Sequence, residues 1–404
     1  MRRIVVALDL RFYKSENKKV FAINPFFADS LWQRYLDVFE EVFAFARVSE
    51  TEDTTKLSPM LNPRVKLIEI PDYRGSEGFI RRLPVIRKLS KETAQKFDIF
   101  TFRIPNSPST LLWRYVVSMK KPYGVEVVGD VWESLSPRTN KDILRAPARL
   151  YLARLQKEQC KKASVAAYVT KYSLQKRYPP GGWSTHYSSI DLTAEAFASA
   201  EMLLTRRERL ERACGEIEKE WRLICAGSMA HLYKAQDVLI EAVAGCIRDG
   251  YKIRLNLLGD GKERAGLEEL AKRLEIKEAV KFWGDVPAGD AVRMAIDESD
   301  IAVLPSRQEG LPRFLIEAMA RGAPCIGSTT GGIPELLEPE FLVAPNDVEG
   351  LKKKIIESIS SPKKLVSASL RNYEVSKEYR LEILRERRIE FYKRLLDASV
   401  KEEM

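Results

Sequence analysis

The sequence predicts an α/β protein built on a doubly wound parallel sheet, in a chain long enough for two domains. Three observations carry the prediction. From Leu223 onward, short apolar runs bounded by Gly or Pro alternate with amphipathic stretches of helical period, the pattern of buried parallel strands joined by crossover helices. The chain has 404 residues, 45% of them hydrophobic, enough to bury two ordinary cores. Charge is divided unevenly, 33 Lys+Arg against 21 Asp+Glu in residues 1–200 and 34 against 36 in residues 201–404, so a basic first half precedes a nearly neutral second half.

Taken in order, residues 5–9 (Val5-Val6-Ala7-Leu8-Asp9) read as the first strand. Arg11-Phe12-Tyr13 and Asn24-Pro25-Phe26-Phe27 follow it in a loop whose aromatic residues either pack or face a partner. Residues 123–133 read as a middle strand with Asp130 toward its carboxyl end, and 142–162 as a helix carrying Arg145, Arg149, Arg154, Lys157, Lys161 and Lys162. Residues 178–183 are a Pro/Gly loop, 191–205 a linker, and 206–220 a helix. The second half reads as strand 223–226, a loop ending in Lys234, and a helix from about Val238. After it come strand 254–258 with Gly259-Asp260-Gly261 at its end, helix 263–275, strand 280–285 and helix 289–297. Strand 301–305 completes the alternation. The second domain closes near Ser361-Pro362, and 373–396 reads as a charged helix. Asp297-Glu298-Ser299-Asp300 is read as a helix end, since it precedes its strand.

The most informative stretch follows Ile301-Ala302-Val303-Leu304-Pro305. Glu309 and Gly310 form the turn at the strand's carboxyl end, and Pro312 fits the first helical turn, where a missing N–H costs nothing. Phe314, Leu315, Ala318 and Met319 share one stripe, which places Glu317 about one turn into the helix, eight residues after Glu309. A helix start over the carboxyl edge of such a sheet offers free N–H groups and a positive dipole end to a phosphate-bearing ligand. Two carboxylates beside it suit sugar hydroxyls, and Lys234 suits a pyrophosphate. Gly331 and Gly332 allow the backbone to close tightly.

Gly227 to Lys234, Gly259-Asp260-Gly261, Pro305-Ser306-Arg307-x-Glu309-Gly310, Glu317 and Gly331-Gly332-Ile333-Pro334-Glu335 stand in an order that resembles the family-4 retaining glycosyltransferases of the GT-B type, the glycosyl transferases group 1. The resemblance is dense over residues 223–345. It implies two Rossmann-like domains facing across a cleft, with a nucleotide-sugar donor held mostly by the second. It further implies boundaries at 1–200 for an acceptor-side domain and 201–375 for the donor domain, with 376–404 a terminal helix crossing back. Donor binding would fall to Gly227, Ser228, Lys234, Gly259, Phe282, Trp283, Glu309, Gly310, Leu311, Pro312, Arg313 and Glu317. Within that set, Glu317 would hold ribose hydroxyls, Glu309 the sugar, Lys234 the diphosphate, and Phe282 with Trp283 the base. Catalytic roles would fall to Glu309, Lys234 and Asp130. The implied reaction moves a hexose from a UDP- or GDP-sugar with retention and without a metal, so no cofactor is expected beyond the donor itself.

Three departures qualify the resemblance. Ser228 stands where the family carries an Arg, leaving Arg307 or Arg313 to supply a second cation. The first loop lacks the family's glycines. The middle strand of the first half has no His, and Asp130 is its nearest polar residue, either an acid–base group or a helix-cap. A GT-B sugar-nucleotide epimerase and a non-catalytic homologue remain the rival readings.

Composition bounds the setting. With His186 and His231 the only histidines, a His-built metal or catalytic cluster is not expected. Five scattered cysteines without a Cys-x-x-Cys suit a reducing compartment. No apolar run is long enough to span a bilayer, and Met1-Arg2-Arg3 leads straight into a strand rather than a leader peptide, which points to the cytoplasm. The basic segments 81–88 and 142–162 suggest peripheral docking of the N-terminal domain on the anionic inner face of the cytoplasmic membrane. That suits a glycan or lipid-linked acceptor in bacterial surface polysaccharide synthesis. No nucleic-acid motif is present.

Overall fold

The computed structural model describes residues 2–136, 145–213 and 219–401. Positions 142–144 of the expected basic helix, and 214–218 of the expected helix 206–220 with Cys214 among them, lie outside the described residues. The chain divides into two compact units: Met1–Val131 with Leu150–Tyr187 and Arg385–Met404, and Trp132–Arg149 with Ser188–Leu384.

The first unit holds β1 (Arg3–Lys14), β2 (Val20–Ala22), β3 (Glu41–Glu50), β4 (Ser58–Pro59), β5 (Val65–Pro71), β6 (Phe100–Ile104), β7 (Tyr123–Val127), β8 (Val165–Tyr168) and β9 (Trp183–His186). Seven run parallel in the order β5-β3-β1-β6-β7-β8-β9, and β2 with β4 adds an antiparallel extension to the end of β1. β1 is 12 residues long, not five. Val5, Val6 and Ala7 pair with β6, and after an irregularity Arg11 to Lys14 continue along β3, with Phe12 buried beneath them.

The expected strand 123–133 ends at Val127, and Val131–Ser134 is a helical turn. Its terminator comes from far away in the chain. Gln156 accepts from the Val131 N–H at 3.2 Å and donates to the Gly129 carbonyl at 2.8 Å, diverting the backbone from the ladder.

In the second unit, β10 (Trp221–Ala226), β11 (Ile253–Leu258), β12 (Val280–Gly284), β13 (Ile301–Leu304), β14 (Cys325–Ser328) and β15 (Leu342–Val343) form a parallel sheet in the order β12-β11-β10-β13-β14-β15. The strand order reverses between β10 and β13, and the carboxyl edge at such a switch point is where open α/β sheets bind ligands. Every residue of β13 is buried, which is why it reads as an unbroken apolar run.

The segment read as a linker is ordered. A helix spans Ala200–Arg212, capped by the Ser199 hydroxyl accepting from the Met202 N–H at 3.2 Å. Its inner face includes Arg206, 4% exposed, which donates to the Ser299 and Ile296 carbonyls at 2.7 and 3.0 Å and so closes the end of helix Asp290–Asp297. Burial brings this guanidinium down to about 10. Asp297 pairs with Arg321, and Asp300 accepts from the Arg222 N–H at 3.0 Å, so both carboxylates are spent on structure. The second unit runs on to Leu384 because helix Pro362–Ser376 packs into it, Ser369 donating to the Gly322 carbonyl at 2.6 Å and Asn372 to Ala323 at 3.2 Å.

From Arg385 on, helix Leu381–Lys401 packs within the first unit. Phe391 fits against β7 only because residue 124 is Gly, where a Cβ would stand 2.9 Å from the ring. Beside it Glu126, 3% exposed, accepts from the phenols of Tyr35 and Tyr392 at 2.9 Å each and from Arg103 at 2.7 Å. Burial raises both phenols, so they stay protonated donors. Glu126→Gln leaves the Arg103 charge unpaired in this interior, and an expected loss of about 3–5 kcal/mol follows. Urea unfolding of the whole chain checks it, and a loss below about 1 kcal/mol, typical of an exposed pair, would contradict the network.

Candidate active site

Two loops meet at the switch point of the second sheet. The first, residues 227–235, follows β10. Glycines build it: a Cβ on Gly227 would stand 3.0 Å from the Lys234 alkyl chain, so the glycine lets that chain lie across the backbone. Gly259, at φ 125°, sits where a Cβ would meet the Gly227 carbonyl at 2.2 Å, and Gly261 is equally tight against Met229 and Ala230. The Met229 N–H donates to the Asp260 carbonyl at 2.8 Å, so the Gly259-Asp260-Gly261 turn props the loop from below.

The second loop follows β13 and leads into helix Arg313–Ala320. Lys234 and Glu309, brought from 75 positions apart, form an ion pair at 2.6 Å, their side chains 16% and 7% exposed. The Ser306 hydroxyl donates to the same oxygen, Glu309 Oε1, at 2.7 Å, while the Ser328 hydroxyl donates to the Ser306 carbonyl at 2.6 Å. Glu309 Oε2 makes no hydrogen bond among the described residues. Gly331, at φ 56°, lets the next loop pass where a Cβ would lie 2.1 Å from the Glu309 carbonyl, and the Gly332 N–H donates to Gly310 at 2.7 Å.

Pro312 is not in the first helical turn. It is the cap residue, with extended backbone at φ −74°, ψ 114°, and the helix begins at Arg313. Leu311 and Pro312 are buried, and Arg313 is exposed. Glu317, one turn in, is half-buried and makes no hydrogen bond or ion pair among the described residues. Burial raises its carboxyl above the usual range, against the pull of the Arg313 and Arg293 charges. Of these two, Arg293 was not visible from the sequence, since it reaches the site from helix Asp290–Asp297.

The other expected site residues have contacts of their own. Trp283, on β12, donates to Asn256 at 3.1 Å and carries the Lys281 ammonium 3.6 Å above its ring, and Phe282 is half-buried beside it. Ser228 is exposed, its hydroxyl accepting from the Ala230 N–H at 3.2 Å. Asp130 belongs to the first unit and is 6% exposed, accepting from the Tyr178 phenol at 2.6 Å and paired with Arg177. Both oxygens of Asp130 are engaged in this way, tying the segment after β7 to residues 173–178. Arg307, one of the two residues offered as a second cation, is held by Asp237 through two bonds of 2.7 Å.

Sequence reasoning missed Ser306. A hydroxyl three residues before a turn carboxylate is its only signal. The buried thiols of Cys160, Cys225, Cys246 and Cys325 are all pushed up to about 12 by burial, which disfavours thiolate chemistry. Among the described residues no helix is long and apolar enough to cross a membrane.

Comparison with known proteins adds a family match, two relatives and two solved structures. The family described as Glycosyl transferases group 1 matches residues 220–361. The chain is 27% identical over 374 residues to Protein CapJ of Staphylococcus aureus, covering 92% of this chain and 91% of that protein. It is 30% identical over 237 residues to a GDP-mannose-dependent monoacylated alpha-(1-6)-phosphatidylinositol monomannoside mannosyltransferase of Corynebacterium glutamicum, covering 55% of this chain and 60% of that one. Among solved structures, sucrose-phosphate synthase from Thermosynechococcus elongatus aligns over 98% of this chain and 100% of its own, with TM-score 0.72 and 17% identity. Anabaena HepE in complex with UDP and glucose aligns over 97% and 100%, with TM-score 0.65 and 16% identity. At such identities these structures bear on fold alone.

Proposed function

We propose that this glycosyltransferase, whose residues 220–361 match the Glycosyl transferases group 1 family on a chain of GT-B fold, moves a hexose from a UDP- or GDP-sugar to a glycan or lipid-linked glycan acceptor, with retention and without a bound metal. One observation carries the proposal. Lys234 and Glu309 meet at 2.6 Å where the strand order reverses, beside the start of helix Arg313–Ala320. A donor diphosphate there would be held by the Lys234 ammonium and the free N–H groups of the helix start, which also stabilise the charge as the sugar departs. Glu309 Oε2 is left to accept a sugar hydroxyl, with Ser306 and Lys234 fixing the other oxygen. Glu317 would accept ribose hydroxyls.

Relatives support the donor class. HepE was crystallised with UDP and with UDP-glucose, and the Corynebacterium glutamicum relative is named for GDP-mannose. Relatives named for colanic acid and amylovoran biosynthesis support a polysaccharide acceptor.

For the acceptor side, helix Gly75–Lys96 of the first unit exposes Ile80 by 65% and Val85 by 47% beside the exposed Arg81, Arg82, Arg87 and Lys88. Helix Arg145–Lys162 exposes Leu150 and Tyr151 among its basic residues. Apolar side chains ringed by cations suit an anionic lipid surface, and on this reading the enzyme works peripherally on the inner face of the cytoplasmic membrane.

The test is a thermal-shift screen of UDP-, GDP-, ADP- and dTDP-sugars with and without EDTA, followed by NMR of the transferred anomeric centre. Expected is stabilisation by one nucleotide family, about 2.7 kcal/mol at a hundred times the dissociation constant, unchanged by EDTA. Inversion, EDTA sensitivity, or an epimer formed without acceptor would overturn it.

A further inference from the structure

Arg307 stands two residues before Glu309, and the family resemblance leaves it free to be a second cation on the donor. The geometry points elsewhere: we propose that Arg307 is a positioning residue that sets the place of Lys234. The inference rests on the reading of Lys234 as the diphosphate cation.

Its Nε donates to Asn346 Oδ1 at 2.5 Å. One terminal nitrogen donates to the Leu232 carbonyl at 2.5 Å and to Asp237 Oδ1 at 2.7 Å, and the other donates to Asp237 Oδ2 at 2.7 Å. Its backbone N–H donates to the Tyr233 carbonyl at 2.8 Å. A guanidinium has five N–H groups, and these contacts commit four of them, so a paired grip on a diphosphate could be made only by dismantling the arrangement.

The partners bracket Lys234 in the chain. Leu232 and Tyr233 precede it and Asp237 follows, while Arg307 itself belongs to the loop that carries Glu309. Inside the bracket Ala235 adopts left-handed backbone at φ 56°, ψ 40°, a conformation that a residue with a Cβ keeps only when its surroundings enforce it. Asn346, also left-handed at φ 65°, joins the segment after β15 to the same point, next to Asp347, which caps helix Val348–Ile359. One planar fork thus ties three loops of the second unit together and fixes the height at which Lys234 leaves the backbone. A Lys at 307 could not reproduce the paired bonds to Asp237 together with those to Leu232 and Asn346.

The test is a double-mutant cycle on the full chain, reading KM for the nucleotide sugar, kcat and thermal midpoint. Arg307→Lys and Asp237→Asn are each expected to raise KM about tenfold and to lower kcat. In a Lys234→Ala background neither should cause a further change, since the residue they position is gone. Asn346→Gly, which removes a single bond at a left-handed position that glycine tolerates, guards against a folding failure and should show a smaller loss with the same non-additivity. A purely structural role predicts a lower midpoint with unchanged KM, and that result would overturn the inference. An additional loss in the Lys234→Ala background, seen with nucleoside diphosphate but not monophosphate, would also overturn it, because Arg307 would then touch the diphosphate itself. If Lys234→Ala leaves nucleotide-sugar affinity unchanged, the functional reading fails together with the inference. That pattern is distinct from every failure of the clamp alone.

Discussion

Glu309→Gln is expected to lower kcat by about 10²–10³-fold, the usual loss for one preorganised transition-state group, while nucleoside diphosphate binding is retained or tightened. The opposite directions follow from the ion pair. In the ligand-free protein the Lys234 ammonium is 2.6 Å from Glu309 Oε1, so an arriving diphosphate must compete with a carboxylate that is itself largely buried. Gln keeps the volume and one acceptor but removes that competitor. The freed ammonium is then left in a partly desolvated place, which lowers the stability of the empty protein and gives a diphosphate more to neutralise. The reacting sugar loses the carboxylate whose Oε2 makes no hydrogen bond among the described residues. Titration calorimetry with UDP and GDP, with single-turnover transfer beside it, reads both effects. Weaker diphosphate binding with unchanged turnover would remove Glu309 from the site.

The second sheet was legible because its strands are buried on both faces and therefore appear as short apolar runs cut by Gly and Pro. β13 and the helix after it were placed within a residue or two. The glycines of the loop were legible for the same local reason. What failed were elements decided by partners far away in the chain. Val127-Val128-Gly129-Asp130-Val131 carries only the short stop signal Gly129-Asp130, and Gln156 reinforces it from 25 positions on. Only the first turns of helix Ala200–Arg212 fell in the segment read as linker, and the inner role of Arg206 was hidden because an arginine spent on carbonyls is indistinguishable in sequence from one in solvent. The partners of Arg307 and Asp130 were hidden in the same way. Asp237, Asn346, Arg177 and Tyr178 lie 39 to 70 positions away, and only the folded chain shows that the two charges are already used.

Glu317→Gln should weaken nucleotide-sugar binding by about a hundredfold and, at neutral pH, raise the thermal midpoint of the ligand-free protein. The first effect follows from two ribose hydroxyls that would donate to a charged acceptor, each such bond being worth about 1.5–3 kcal/mol, with one decade per 1.4 kcal/mol. The second follows from what the carboxylate lacks when the site is empty. Glu317 is half-buried without a hydrogen-bond partner among the described residues, and burial raises its carboxyl above the ordinary value. The folded state therefore holds this proton more tightly than the unfolded chain. Its contribution to stability is full below the ordinary carboxylate range and is lost as pH rises through the raised value. At neutral pH the ionised group is a standing cost, which Gln removes. Donor affinity must run the other way, falling as pH drops through that raised value, since only the ionised form accepts from both hydroxyls. A residue kept at the expense of the empty fold is the signature of a binding group rather than a packing one. Calorimetric titration of the donor across pH 4–8, with thermal midpoints of both proteins at each point, decides the matter. Unchanged affinity, or a midpoint lowered by the substitution, would make Glu317 a structural residue and move the ribose elsewhere.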